Sequence, residues 1–569
     1  MFGLPFREVW ALDAEFISEP GAHPVPVCMV ARELGSNRLV RLWQDKLDRP
    51  PFDVGPDVLF VAYYAPAEWG CFLALGWPLP QRVIDLYAEF RNQTNGIPLP
   101  EGRGLLSALS QHGLASITKQ QKNTERDLVM RGGPWTVPER ARILDYCQSD
   151  VDCLGPLLER MLPAIRARHN GLGQALLRGR YTTAAARMES TGVPVDADLL
   201  DQIRSRWDAI KLDLVQAVDK DFGVYEGTTF KAGLFAAWLA AEGIDWPRTP
   251  AGQLRLDQDT FRDMSKRYPK LEPLKELRHS LSDLRLESLA VGPDNRNRVM
   301  LSPFGARSGR NTPSNTKFVF GPSVWIRGLI RPEPGRALAY VDWSSQEVWV
   351  AAKLSGDQAL LDAVQSGDPY LSFAKMAGLA PAWATKVSHK AVRDVCKTVV
   401  LGTNYGMGPE SLAYRAGLSK IEAQELLRKL SITFPVFTAW AEHVIDVGQL
   451  TGQLATVFGW TIRVTGTSRP TSLRNYPMQA NGAEMLRLAC CLATERGIAV
   501  CAPVHDALLV EGAVDEIDDV VAATRAAMAD ASSAVLGVEV PTDVEIVQFP
   551  DRYADPRGAV MWERVNELL

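Results

Sequence analysis

Two aspartates far apart in the chain each close a short apolar run of the kind that forms a buried strand. Asp342 follows Ala337-Leu338-Ala339-Tyr340-Val341 in ALAYVDWSSQE, and Asp506 lies in AVCAPVHDALLVEG. Between them, RDVCKTVVLGTNYGMG reads as a helix carrying Arg393 and Lys397. A fold that brings these three segments together holds two divalent ions on the strand-borne carboxylates and a triphosphate on the cationic helix. Those are the minimum parts for nucleotidyl transfer.

The rest of the chain has to supply a frame. At 569 residues it is too long for one core, so three or four domains are expected. It is 46% hydrophobic and 23% charged, with no low-complexity tract. No window approaches the roughly 20 unbroken apolar residues of a membrane span. The start, MFGLPFREVWALDAEF, lacks the charged and long apolar regions of a secretory signal. The eight cysteines are scattered with no CxxC pair, which suggests reduced thiols rather than a disulfide framework or a zinc site. These features point to a cytoplasmic protein with no membrane association. The formal charge of -5 does not favour a nucleic-acid partner. It does not exclude one either, because phosphate contact depends on the local field.

Residues 1–165 read as an α/β unit. Its strands are expected at Glu8–Phe16, Val25–Arg32, Leu39–Trp43 and Val58–Tyr63, with helices at Trp69–Leu75 and Pro138–Met161. Residues 170–300 are mostly helical and read as a projecting arm, with Asp196 opening a helix after a Gly-Val-Pro turn. A Gly/Pro/Asn-rich stretch follows, and from 337 onward strand patterns return around a long helical insertion over 358–450. No internal repeat is evident.

Asp13 and Glu15 sit two apart in ALDAEF, so a strand points both the same way. Glu68 follows the strand VLFVAYY, and Asp150 in LDYCQSDVD lies one helical turn after Tyr146. Four converging acids repel unless cations are present; two Mg²⁺ ions resolve this and stabilise the attacking and leaving oxygens of a phosphodiester. Tyr146 is placed to orient the attacking water. The pattern of DxE, an acid after a strand, and YxxxD resembles the DEDDy class of 3′–5′ exonucleases. The resemblance makes Asp13, Glu15, Glu68 and Asp150 metal ligands, with Tyr146 catalytic beside them. The class usually has Asn-x-x-x-Asp in its second motif; YAPAE here gives Tyr64 and Glu68.

The second set resembles the family-A DNA polymerases. DWSSQEVWV is similar to motif A, usually DYSQIELR, making Asp342 a metal ligand and Glu347 the acid under the incoming sugar that excludes a 2′-OH. RDVCKTVVLGTNYGMG is similar to motif B. Arg393, Lys397, Leu401 and Tyr405 fall at steps of four, forming one winding helix stripe. The resemblance places Arg393 and Lys397 on the triphosphate, with Lys397 as a proton donor to pyrophosphate, Leu401 at the sugar and Tyr405 near the template. Leu401 departs from the usual Phe or Tyr. PVHDALLVE is similar to motif C, usually VHDE. Asp506 becomes the second metal ligand and His505 a contact to the primer end, while Ala507 stands where the second acid is usual. GARSGRNT and NYPMQANGAE are similar to two further family segments, which imply DNA contacts from Arg310, Asn475 and Gln479. Arg327 and Arg331 match basic positions ahead of motif A, serving phosphate contacts or flanking a turn.

The resemblance covers nearly the whole chain. It implies a multidomain α/β and α+β protein: an RNase H-like 3′–5′ exonuclease domain (1–165), followed by a right-hand polymerase. That hand comprises the start of the palm and the helical thumb (170–300), palm with motif A (301–357), fingers with motif B (358–450) and palm with motif C (451–569). The implied activity is template-directed addition of dNMP to a primer 3′-OH with proofreading. Two Mg²⁺ per active site are implied, with Mn²⁺ as the alternative metal, and the partners are primer–template DNA and dNTPs. A monomer is expected, with accessory replication proteins as further partners and no added N-terminal 5′-nuclease region. The compact length and the FLALGWPLP and RSGR variants resemble polymerases of bacteriophages or mobile elements, acting in a bacterial cytoplasm. A single-subunit RNA polymerase, a nuclease-dominant repair enzyme and a non-catalytic clamp are the rival readings. Glu347 and the N-terminal acids oppose the first, and the intact Asp342/Asp506 pair opposes the last.

Overall fold

The computed structural model of the chain describes residues 3–115, 119–281, 285–321 and 323–569. Two β-sheets organise it. The first comprises β1 (Glu8–Ile17), β2 (Val25–Glu33), β3 (Leu39–Trp43), β4 (Val58–Ala62) and β5 (Arg82–Asp85), in the spatial order β3-β2-β1-β4-β5. β1 runs antiparallel to β2 and parallel to β4. Val9, Ala11, Leu59 and Val61 pack into one core, and Trp10, Leu12, Ala14 and Phe60 into another on the opposite face. The sheet is therefore covered on both sides, as the near-continuous apolar strands require. α1 (Ala65–Ala74), α2 (Lys119–Met130) and α3 (Val137–Arg166) surround it. α3 starts on a capping box formed by Thr136 and Glu139. The expected strands are present to within a residue, whereas α1 begins four residues before the expected Trp69. The cause is Pro66 in the first helical turn, where a missing N–H is harmless. Glu68 therefore rides on a helix.

α4 (Gly171–Thr191) joins the two halves. It is alanine-rich and buried on most sides, packing against α1 and β5 of the first half and against elements of the second. Gly179 permits this approach: a Cβ there would lie 2.0 Å from the Val83 carbonyl oxygen. One residue before it, Arg178 grips Glu89 through two bonds of 2.5 and 2.9 Å, and both side chains are buried. Removing either partner strands a buried charge, a loss of about 3–5 kcal/mol. Asn92 and Asn95 add bonds across the same junction, to Gly459, Thr461 and Arg307.

α5 (Ala197–Asp219), capped by the Asp196 carboxylate on the Leu199 amide, starts the projecting helical region. That region carries a small core of its own around Phe235, Trp246 and Phe261.

The second sheet contains β6 (Arg336–Trp343), β7 (Ala499–Val504), β8 (Ala507–Ala513) and β9 (Thr542–Gln548), in the order β7-β8-β6-β9, all antiparallel. On β6, Ala337, Ala339 and Val341 enter the large core, while Leu338 and Tyr340 pack on the opposite face. Asp342 continues that second face. Between β6 and β7 run α6 (Gln346–Ser355), α7 (Pro369–Met376), α8 (Lys390–Asn404) and α9 (Pro470–Glu495); α10 (Ile517–Leu536) follows β8. Among the described residues no helix is long and apolar enough to cross a membrane.

Candidate active sites

In the first half, Asp13 and Glu15 project from β1, Glu68 from α1, and Tyr146 and Asp150 from α3. Burial, then the charge of Asp150, pushes the Asp13 carboxyl up to about 7, while Lys122 and a bond from the Cys147 thiol pull it back. Glu15 and Glu68 are raised by burial first and then by their acidic neighbours, Asp13 foremost. The expected convergence of four acids is therefore present. Asp13, Glu15 and Cys147 alone offer ligand atoms all within 4.8 Å of one another. Glu68 Oε2 is buried with no hydrogen-bond partner. A cluster of mutually repelling carboxylates with an orphaned oxygen is a donor set that hard divalent cations fit.

Two features here carry no signal in the sequence. Lys122, on the polar helix α2, places its Nζ 2.5 Å from Asp150 Oδ2 and 5.8 Å from the centre of the Tyr146 ring. It puts one fixed positive charge inside the acidic cluster. Cys147, beneath the acids, lies 3.4 Å from Asp13 Oδ2. Tyr64, at the usual asparagine position, takes a left-handed backbone conformation (φ 77°) and sets its ring edge-on to Tyr87. A cleft of about 390 Å³ opens over the cluster, with Tyr63, Tyr64 and Tyr87 on one wall and Met300 and Ser302 from the second half on another.

Beside that cleft, Glu189 on α4 accepts the Leu301 amide at 2.6 Å. Loss of solvent pushes its carboxyl up to about 8 against the opposing pull of that amide. A carboxyl raised in the folded state favours folding while protonated. Its stabilisation is complete below its ordinary value of 4.5 and disappears as pH rises through about 8. Glu189→Gln should therefore melt above the unsubstituted protein at pH 9 and not above it at pH 5. Parallel thermal melts at the two pH values check this, and an equal shift at both would refute it.

In the second half, β7 and β8 form a hairpin whose turn is His505 and Asp506. His505 is exposed and left-handed (φ 58°), a conformation costing about 1–3 kcal/mol that the hairpin imposes. The turn brings Asp506 to Asp342: the Trp343 amide donates to the Asp506 carbonyl at 3.4 Å, and the two carboxylates lie within hydrogen-bond reach. Burial, then the charges of Asp506 and Asp543, pushes the Asp342 carboxyl up to about 7. Burial also raises Asp506, with Arg310 pulling against it. Asp342 Oδ1 is buried without a hydrogen-bond partner. Two acids driven toward sharing a proton, with a free oxygen between strands, also suit divalent cations.

Arg310 and Glu347 act on Asp506, and further expected residues connect to Glu347. Glu347, on the first turn of α6, accepts the Tyr405 hydroxyl at 3.0 Å and Arg310 at 3.4 Å, and Tyr405 in turn bonds Gln479 of α9. Asn475, also on α9, is buried, and its Oδ1 has no partner. Arg393 and Lys397 rise from α8, their charges 5.5 and 5.7 Å from the centre of the Tyr370 ring. Tyr370 bonds Ser345 beside α6, so the basic helix is tied to the Asp342 loop. Arg393 also pairs with Asp368 at 2.6 Å. Leu401 lies further along α8, half-buried, and Tyr405 caps the helix. Arg327 is not free for phosphate: it is buried against Asp555 at 2.7 Å. Arg331 pairs with Asp196 at 2.8 Å.

Comparison with known proteins bears on this second half. Residues 317–549, which span Asp342, α8 and Asp506, match the family model of DNA polymerase family A. The match covers the second half's catalytic segments and less than half of the chain. Over 401 residues the chain is 27% identical to DNA polymerase I of Chloroflexus aurantiacus, covering 64% of itself but 41% of that protein. It is 24% identical over 448 residues to DNA polymerase I of Aquifex aeolicus, covering 71% of itself and 74% of the relative. It is 30% identical over 236 residues to the thermostable DNA polymerase I of Thermus thermophilus, covering 39% of itself and 27% of that protein. In fold, the chain is similar to the POL domain of Pol1 from M. smegmatis, solved with DNA primer–template and dNTP. The TM-score is 0.72 at 18% identity, with 95% of each chain covered.

Proposed function

We propose that the protein is a DNA-directed DNA polymerase that adds dNMP to a primer 3′-OH on a DNA template, with a 3′–5′ exonuclease centre in its first half. The observation that carries the reading is the hydrogen-bonded approach of Asp342 and Asp506, with the Tyr370–Arg393–Lys397 group tied through Ser345 to the loop that follows Asp342. Asp342 and Asp506 would hold two Mg²⁺, which supply Lewis-acid activation of the primer hydroxyl and neutralise the departing pyrophosphate.

The chain's own side chains do the rest. Arg393 leaves Asp368 for the triphosphate, gripping it as a fork, while Lys397 adds a point charge and a proton for the leaving group. Glu347, held by Tyr405 and Arg310, floors the sugar pocket. Arg310 and Gln479 probe the minor groove, where every Watson–Crick pair offers acceptors at similar places. Asn475 and His505 contact template and primer. In the N-terminal centre, Asp13, Glu15, Glu68 and Asp150 would hold the metals, which supply Lewis-acid chemistry at the phosphodiester, and Tyr146 would orient water. The proposed domains are 1–165 exonuclease, 170–300 palm start and thumb, 301–357 palm, 358–450 fingers and 451–569 palm. Primer–template DNA and dNTPs are the partners, in a bacterial cytoplasm and in the service of a phage or mobile element.

Primer extension with a matched or mismatched 3′ end, in Mg²⁺ and then in Mn²⁺, tests the reading; no extension in either metal would end it. The sugar pocket gives a sharper result. Glu347→Ala removes the floor, and ribonucleotide incorporation relative to deoxyribonucleotide should rise by about tenfold or more. Unchanged discrimination in single-nucleotide kinetics would remove Glu347 from the sugar pocket.

A further inference from the structure

The sheet register places an acid where neither polymerase-like motif does. Asp342 on β6 has two direct neighbours across the ladder. On one side it faces Ala507 of β8; on the other it faces Asp543 of β9. Directly opposed residues in an antiparallel pair project from the same face with Cβ atoms about 5 Å apart. Asp342 thus has a methyl group on one flank and a carboxylate on the other. Asp543 is exposed at the edge of the site, and its charge is among those that raise Asp342. The Ser344 hydroxyl, two residues after Asp342, donates to Asp543 Oδ2 at 2.6 Å and fixes the carboxylate beside the loop.

The distribution of positive charge sharpens the point. Glu511, also on β8, is buried and matched by Arg296 at 2.6 Å and Arg336 at 3.2 Å. Among the described residues, no Lys or Arg makes an ion pair with Asp342, Asp506 or Asp543. Three carboxylates therefore meet without an ion pair among the described residues, one of them with a buried oxygen that has no hydrogen-bond partner. The charge of Arg310 acts on Asp506 alone of the three, and a divalent cation would complete the compensation.

We propose that Asp543 is a third cation-binding acid of the polymerisation centre, held in place by Ser344 and supplying from β9 the carboxylate that Ala507 does not supply from β8. The inference rests on the polymerase reading of the Asp342/Asp506 site. It assigns β9 a part in that site: Asp543 shares the cation load with Asp342 and Asp506, directly or through a metal-bound water.

The test uses the full chain carrying Asp13→Ala, so that the N-terminal acids contribute less to metal binding, and compares Asp543→Asn within it. Asn is the same size and still accepts the Ser344 hydroxyl, and position 543 is exposed, so the melting temperature should not change. Free Mn²⁺ in titrations followed by electron paramagnetic resonance should show palm-site affinity falling about tenfold, as for loss of one supporting ligand. The Mg²⁺ midpoint for primer extension should rise by a similar factor. A second carboxylate restored from the other strand, Ala507→Asp in the Asp543→Asn background, should recover part of the Mn²⁺ affinity. Unchanged Mn²⁺ binding with unchanged Mg²⁺ midpoint overturns the proposal, as does lost extension with Mn²⁺ binding intact. Failure of the underlying reading looks different: the Asp13→Ala parent itself would not extend a primer, whatever stands at 543.

Discussion

Asp506→Ala should reduce primer extension by about three orders of magnitude or more, while 3′-end trimming continues at the parental rate. The size follows from where the residue stands. Asp506 occupies the turn of the β7–β8 hairpin and lies within hydrogen-bond reach of Asp342. Alanine leaves the Asp342 carboxylate without its hydrogen-bonded partner across the hairpin turn. The fold should tolerate the change. The substitution removes one of two carboxylates that repel each other, so the metal-free melting temperature should hold or rise. Extension and degradation are read from the same labelled primer in separate reactions with and without dNTPs. Extension that survives in the variant would show the metal assignment to be wrong.

The converse is expected of Asp13→Ala: trimming of a mismatched 3′ end should fall by about a thousandfold, with extension from a matched end retained. Asp13 is the acid on which the others converge, since Asp150, Lys122 and the Cys147 thiol all act on it. Its loss leaves Lys122 paired with Asp150 and removes the acid that acts most strongly on Glu15 and Glu68 after burial. Continued degradation by pure variant protein would refute a nuclease centre at this site. The two variants together also distinguish one enzyme with two centres from a single centre with two outcomes, because each should silence one reaction alone.

Much of this arrangement was legible because its signals are local. An apolar run ending in Asp342 announces a strand and its exit together. A stripe at steps of four from Arg393 to Tyr405 is set by helix geometry alone, and α8 presents it from Lys390 to Asn404. The DxE pair on β1 follows from the period of a strand. What escaped was decided by partners remote in sequence. Lys122 sits in KQQKNTERDL, where every residue suits a solvated helix face, and only the docking of α2 aims it at Asp150. Asp543 in PTDVEI looks like the outward residue of an edge strand, and nothing local shows that its neighbour is Asp342. Arg327 and Asp555 find each other across most of the second half. α1 starts at Ala65, ahead of the expected Trp69, with Pro66 accommodated in its first turn.

The way α4 threads between the halves has a consequence for traffic between their two chemistries. At Gly179 its backbone lies against the first sheet with no room for a single methyl, and the Arg178–Glu89 clasp closes the same seam. Such a joint has no slack to hinge. Under the proposed function, a mispaired end reaches the trimming centre only by its own travel: the nucleic acid must unzip and swing across a fixed gap. The choice between copying and correcting is then made by how readily the last few pairs melt, and the protein acts as a ruler rather than as a moving arm.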